Sequence, residues 1–143
     1  MLAVISSNGA GPKAAPMPSL FAIAAIGVRG QLGLNGRLPW HDKRDLAWFR
    51  EMTYGHAVVV GHNTLRQLPP LPGRVILSAE QFATPDCLRA YVRDAGEHIY
   101  LIGGAKTFNK FACVVDRWYV NKINYDGPAD SWFNPMWLVA EPC

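Results

Sequence analysis

The residues best suited to chemistry lie close together. Trp40 closes the glycine-spaced run Gly33-Leu34-Asn35-Gly36-Arg37-Leu38-Pro39, and Asp45 opens the helix-forming stretch Asp45-Leu46-Ala47-Trp48-Phe49. Loops of this kind on a rigid scaffold are frequent seats of function. Asp45, Phe49 and Met52 share one face of the expected helix, so the acid sits among apolar residues. Such a carboxyl should have a raised pKa, and its two oxygens match the paired N–H donors of an amidine-like heterocycle. The same acid also suits a helix's first turn, where with Asp42 it would cap the backbone and offset the macrodipole. Trp40 and Phe49 fit either plain core or the walls of a flat pocket.

Two glycine junctions could serve an anion. Gly103-Gly104 lies between an apolar run and a helical stretch, and Gly61-His62-Asn63-Thr64 repeats the arrangement. Glycines there let backbone N–H groups approach a phosphate, while His62 and Lys106 could add positive charge. Either junction alone also reads as a tight strand–helix turn, with Thr64 a simple cap. Arg74, after the rigid Leu71-Pro72-Gly73 turn, is either a solvated strand-entry charge or a bidentate clamp for a carboxylate. His41, His56, His62 and His98 lack spaced metal partners, so no metal site is expected, and no GxSxG, HExxH or P-loop is present.

The elements that must position these groups follow from hydrophobic pattern. Residues 20–28 form a continuous apolar run, the mark of a strand buried on both faces. Residues 42–53 predict a helix capped by Asp42 and ended by Gly55, and 57–60 a second buried strand leading to a short helix before Pro69-Pro70. Strands are expected over 75–78, 99–102 and 117–123, helices over 85–95 and 105–111, and a last strand over 137–140. Alternating strands and short helices imply an α/β fold: a central, mainly parallel twisted sheet flanked by helices, binding ligands at the carboxyl ends of its strands. Residues 1–18 read as a flexible leader, with Leu2–Ile5 able to add a strand and Met17 an alternative start; 19–143 form the domain.

At 143 residues the chain can bury a core without staples, and with half its residues hydrophobic and 17% charged it is globular. A net charge of +3 with no dense basic tract gives no reason to expect nucleic acid. The longest apolar run is too short to span a bilayer. Three cysteines with no CxxC spacing make a disulfide scaffold or zinc site unexpected and a reducing, cytoplasmic setting the default.

Taken in order, Ile23-Ala24-Ala25, Gly33, Leu38-Pro39-Trp40, Asp45 to Phe49, Val60-Gly61, Thr64, Leu71-Pro72-Gly73-Arg74, Leu77-Ser78 and Ile102-Gly103-Gly104 resemble the dihydrofolate reductases of the bacterial chromosomal type across residues 19 to 135. The resemblance implies NADPH-dependent reduction of 7,8-dihydrofolate to 5,6,7,8-tetrahydrofolate, with hydride delivered to C6 and a proton to N5. It implies that Asp45 grips the pterin's 2-amino group and N3, that Trp40 orders a water beside it, and that Leu38 belongs to a loop closing over nicotinamide. Ile23, Leu46, Phe49, Leu71 and Ile102 would wall the substrate pocket, with Asn121 supporting Asp45 and Arg74 on the glutamate tail. NADPH would lie along Ala25, Leu32, Gly33, Arg37, Gly61, His62, Asn63, Thr64, Leu77, Ser78, Gly103, Gly104, Ala105, Lys106, Thr107 and Phe108. Gly103-Gly104 would be the family's cis peptide.

Against the family pattern, His62 replaces the arginine that recognises the cofactor's 2′-phosphate, and Ala79 replaces a serine that assists it; Lys106 or Arg66 could substitute. Phe108 replaces a tyrosine, and Asn121 a threonine. The span from Ser78 to Ile99 leaves little room for an edge strand, and the C-terminal antiparallel hairpin is expected to be missing or reduced. The bared edge would then be covered by the leader or by self-association. Two other readings stand beside the reductase: a weakened relative serving as a structural or assembly component, and a related pteridine or pyrimidine reductase.

Overall fold

The computed structural model describes residues 2–6 and 18–143. Its centre is β2 (Leu20–Ile26), buried at every position except Ala25. The period of two sends its residues to different layers. Leu20, Ala22, Ala24 and Ile26 enter the larger core, while Phe21 and Ile23 join Val58 and Tyr100 beneath Trp48, Phe49 and Met52. These last three side chains belong to α1 (Lys43–Thr53), which covers this face. The opposite face is packed by α3 (Pro85–Ala95) and α4 (Ala105–Phe111) through Leu88, Val92, Phe108 and Phe111. This division explains why β2 reads as one unbroken apolar run.

With β1 (Leu2–Ser6), β4 (Ala57–Val60), β5 (Val75–Ser78), β6 (Ile99–Leu101) and β7 (Arg117–Lys122), β2 forms a six-stranded sheet in the order β1-β7-β2-β6-β4-β5. All pairings are parallel except β1 on β7, which is antiparallel in register from Leu2↔Asn121 to Ser6↔Arg117. Residues 2–6 of the leader are therefore a strand that covers the β7 edge; Met1 and residues 7–17, Met17 included, lie outside the described residues. Between Ser78 and Ile99 the chain holds only a 3₁₀ turn (Ala79–Gln81) and α3, so β5 is an edge strand with Val75 and Ile76 exposed.

Two features differ from expectation. Residues 135–139 form a 3₁₀ helix (Pro135–Val139) and not a strand. Pro135 starts it, Asn134 Oδ1 accepts from the Met136 N–H, and the coil turns Trp137 inward to stack on Trp118 at 6.1 Å and 12°. Cys113 and Cys143, with Cα atoms 5.5 Å apart, form a disulfide that the sequence did not lead us to expect. A separation of 30 residues matches no spacing motif and is closed only by the tail folding back. As expected, the C-terminal antiparallel hairpin is reduced: a second sheet pairs only β3 (Gln31–Gly33) with β8 (Ser131–Trp132).

Candidate active site

The carboxyl ends of β2, β6 and β4 open into a cleft of about 920 Å³, walled by α1 and by residues 32–40. Residues 33–40 are less open than a simple loop. Leu34 and Arg37 exchange backbone hydrogen bonds of 2.8 and 3.0 Å across Asn35-Gly36, both at positive φ (53° and 77°). That is a two-residue hairpin of the kind Asn-Gly favours. Asp130 Oδ2 accepts from the Asn35 N–H at 3.0 Å and anchors the tip. Leu38 stands 55% exposed at the mouth of the cleft.

Asp45 is buried in the cleft wall, 7% exposed. Capping falls to its neighbour: Asp42 Oδ1 accepts from the backbone N–H groups of Arg44 (2.9 Å) and Asp45 (3.0 Å). The Asp45 carboxyl is thereby free for the cleft, which separates the two roles the sequence left open. Asn121 Nδ2 donates to its Oδ1 at 2.9 Å. The contact is set by register, since Asn121 stands beside Ala25 in the β2–β7 pairing, one position along from Val120, which joins the opposite core. Burial drives the Asp45 pKa up; Asn121 opposes the shift, Asp42 reinforces it, and Trp40 opposes it more weakly. The Trp40 indole N–H, buried, reaches no partner within bonding distance, yet lies near enough to influence the carboxyl. Trp40 itself leans on Tyr125, ring centroids 5.5 Å apart. The free lone pairs of Asp45 can accept two parallel N–H donors, with Ile23, Leu46, Phe49, Leu71 and Ile102 lining the same cleft as apolar walls.

The two glycine junctions meet. The Gly61 N–H donates to Gly103 O at 2.8 Å, and the Gly103–Gly104 peptide is cis. A Cβ on Gly61 would collide with Thr107 Oγ1, and one on Gly104 would come 3.0 Å from Thr64 Oγ1. The fit leaves bare backbone facing the cleft between α2 (His62–Leu65) and α4, the kind of surface that lets backbone N–H groups approach a diphosphate. Thr64, Asn63, Ala105 and Lys106 line it, as do Ala25, Leu32, Gly33 and Arg37 farther along. Phe108 is 1% exposed, with its ring under Gly103 and against Trp118 and Trp137. The residues present thus fit an extended dinucleotide.

Four sequence-predicted site residues do not line the cleft. Asn121 acts through Asp45, and Leu77 and Ser78 end β5 beside β4, away from the lining. Arg74 ties the end of α1 to the preceding turn: Nε donates to Thr53 Oγ1 at 3.0 Å, one terminal nitrogen to Pro72 O at 2.6 Å, and the other to Arg50 O. That occupies three of five guanidinium N–H groups and leaves one on each terminal nitrogen. Conversely, Lys43, Gln67, Asp130, Ser131 and Glu80 line the cleft without having been singled out. Glu80 follows β5, and an acid at a strand's carboxyl end is the signal that could have marked it. Among the described residues no group of His, Cys, Asp or Glu could hold a metal ion, and no helix is long and apolar enough to cross a membrane.

A mainly parallel sheet with its ligand cleft at the strand ends, a glycine cradle and one buried acid defines an α/β protein with a nucleotide-type ligand site. Within that class the chain belongs to the dihydrofolate reductase family, whose family model matches residues 19–139. It is 37% identical over 128 residues to dihydromethanopterin reductase of Methylorubrum extorquens, an alignment covering 84% of this chain and 93% of that protein. It is 32% identical over 122 residues to dihydrofolate reductase of Haemophilus influenzae, covering 78% and 76%. The structure of dihydrofolate reductase from Enterococcus faecalis complexed with NADP(H) and RAB-propyl superposes with a TM-score of 0.68 at 27% identity, covering 81% of this chain and 77% of that one.

Proposed function

We propose that this chain reduces the ring of a 7,8-dihydropterin with NADPH, adding hydride to C6 and a proton to N5. When bound in the glycine cradle, the reduced nicotinamide supplies the hydride. Asp45 accepts the ring's 2-amino group and N3–H, and Asn121 fixes the carboxyl's orientation. By accepting from those two donors the ionised Asp45 pushes electron density into the ring and makes N5 more basic, so that N5 takes its proton from solvent, and Trp40 holds the adjoining wall of the cleft. Gly61, Gly103, Gly104, Thr64 and Lys106 hold the dinucleotide, and Leu38 with its loop shields the reacting carbons from water. The carrying observation is the freed, buried carboxyl of Asp45 in the same cleft as the glycine cradle.

Dihydrofolate is the first substrate for this ring chemistry, favoured by the two unused Arg74 N–H groups, which could take a tail carboxylate. Dihydromethanopterin is the second, favoured by 37% identity across 93% of the Methylorubrum extorquens enzyme. A reaction that draws on a reduced dinucleotide pool fits a cytoplasmic setting.

The test is NADPH oxidation with each pterin, wild type beside Asp45→Asn. The substitution should lower kcat/KM by roughly 100-fold or more, because an amide cannot accept both donors. Undiminished turnover would remove Asp45 from the mechanism. Dinucleotide binding without turnover of either pterin would instead identify a structural relative that has lost catalysis.

A further inference from the structure

An extended dinucleotide in this cleft would cross the strand ends in their spatial order, β2, β6, β4, β5. Its nicotinamide would lie near Gly103 and its diphosphate at Gly61, so its adenosine would pass beyond His62 toward the turn after β5. At that end stands Glu80, exposed and lining the cleft. Its Oε1 accepts from the His62 backbone N–H at 2.6 Å. The hydrogen bond spans two consecutive strand ends and aims the carboxylate, leaving Oε2 with both lone pairs unused.

We propose that Glu80 receives the adenosine ribose diol of the dinucleotide, so that this reductase takes NADH as well as NADPH. The proposal rests on the reading of the cleft as a dinucleotide site. A carboxylate accepts from both hydroxyls of a vicinal diol, and an acid at a strand's carboxyl end is the usual ribose partner in sheets that bind NAD. A 2′-phosphate in the same place brings roughly 1.5–2 negative charges against Glu80. The compensating cations are sparse. The lysines and arginines lining the cleft are Arg37, Lys43, Arg50 and Lys106, of which the first three lie on the residue 33–40 loop and α1; Arg66, at the end of α2, does not line it. His62 occupies the flank where a permanent cation would have to stand, and its backbone N–H is already engaged by Glu80. NADPH therefore binds only by pushing the carboxylate aside, whereas NADH uses it.

Calorimetric titration of the full chain with NADH, NADPH, ADP-ribose and 2′-phospho-ADP-ribose tests this without relying on turnover. Wild type should bind NADH and NADPH within about tenfold of each other. Glu80→Gln should tighten NADPH and 2′-phospho-ADP-ribose by about tenfold, while NADH and ADP-ribose hold or weaken. His62→Arg should move the ratio the same way, and kcat/KM ratios should follow both. A wild-type preference for NADPH beyond about 100-fold overturns the proposal. So does a Glu80→Gln effect equal for both dinucleotides, with Glu80→Ala melting at a lower temperature, which would make Glu80 a tie between two turns. Failure of every dinucleotide to bind would overturn the cleft assignment itself, a result distinct from either.

Discussion

Asp45 carries opposing demands that one side chain must reconcile. Burial raises its pKa above the ordinary aspartate value of 3.8, yet gripping a pterin requires the ionised form. The linkage has a definite sign. A carboxyl whose native pKa is raised stabilises the fold fully below pH 3.8, and that contribution is lost as pH rises through the native value. At neutral pH the ionised acid therefore weighs against folding. Asp45→Asn, neutral throughout, should melt a few degrees above wild type at pH 7 and lose that advantage in urea titrations at pH 3.5, while being the variant with the least activity. A lower melting temperature at pH 7 would show that the Asn121 hydrogen bond outweighs burial. The role of Asp45 was only half legible in sequence. The apolar helical face was readable at once, whereas the transfer of capping to Asp42 depends on which oxygen meets which N–H, and that requires the folded turn.

At the scale of elements, α2, α4 and the cis Gly103–Gly104 peptide act as one unit because side chains are absent where the chains cross. Gly61 shows the tolerance most directly. Its N–H bonds Gly103 O, and an added methyl would strike Thr107 Oγ1. Gly61→Ala should cost roughly 1–3 kcal/mol in denaturant unfolding and weaken dinucleotide binding more than pterin binding. Equal affinity for the dinucleotide in that variant would separate Gly61 from the cradle. Both glycine junctions were visible as strand–Gly–helix patterns. Their mutual contact was not, since β4 and β6 are neighbours only in the sheet order. The same limit applies to residues 33–40, whose glycine spacing announced a loop but whose anchor, Asp130, lies 95 residues away.

Across the whole molecule, the sheet is closed at one edge by residues 2–6 and its core is sealed by the last turn of chain. Trp137 stacks on Trp118, meets Phe108 and Phe133, and donates from Nε1 to Asn109 Oδ1 at 3.0 Å. Phe108 in turn lies under Gly103, so the C-terminal 3₁₀ helix supports the cleft floor through one aromatic layer. Trp137→Ala should lower stability by about 3–5 kcal/mol in chemical denaturation and loosen dinucleotide binding secondarily. Unchanged stability would show that the aromatic layer closes without it.

What the sequence determined by itself is local and periodic. Apolar runs set the buried strands, Asp42, Thr84 and Gly96 set helix ends, and the ordered motifs set the family and the acid at its centre. What only the tertiary structure decided is every relation between distant segments. These include Asn121 on Asp45, Glu80 on the His62 backbone, Cys113 with Cys143, Trp137 inward and Arg74 committed largely to backbone carbonyls. The physical reason is one of range. Periodicity and capping act over a few residues and leave a mark in each stretch, whereas hydrogen bonds and ring contacts between separate strands depend on sheet order, which no single stretch encodes.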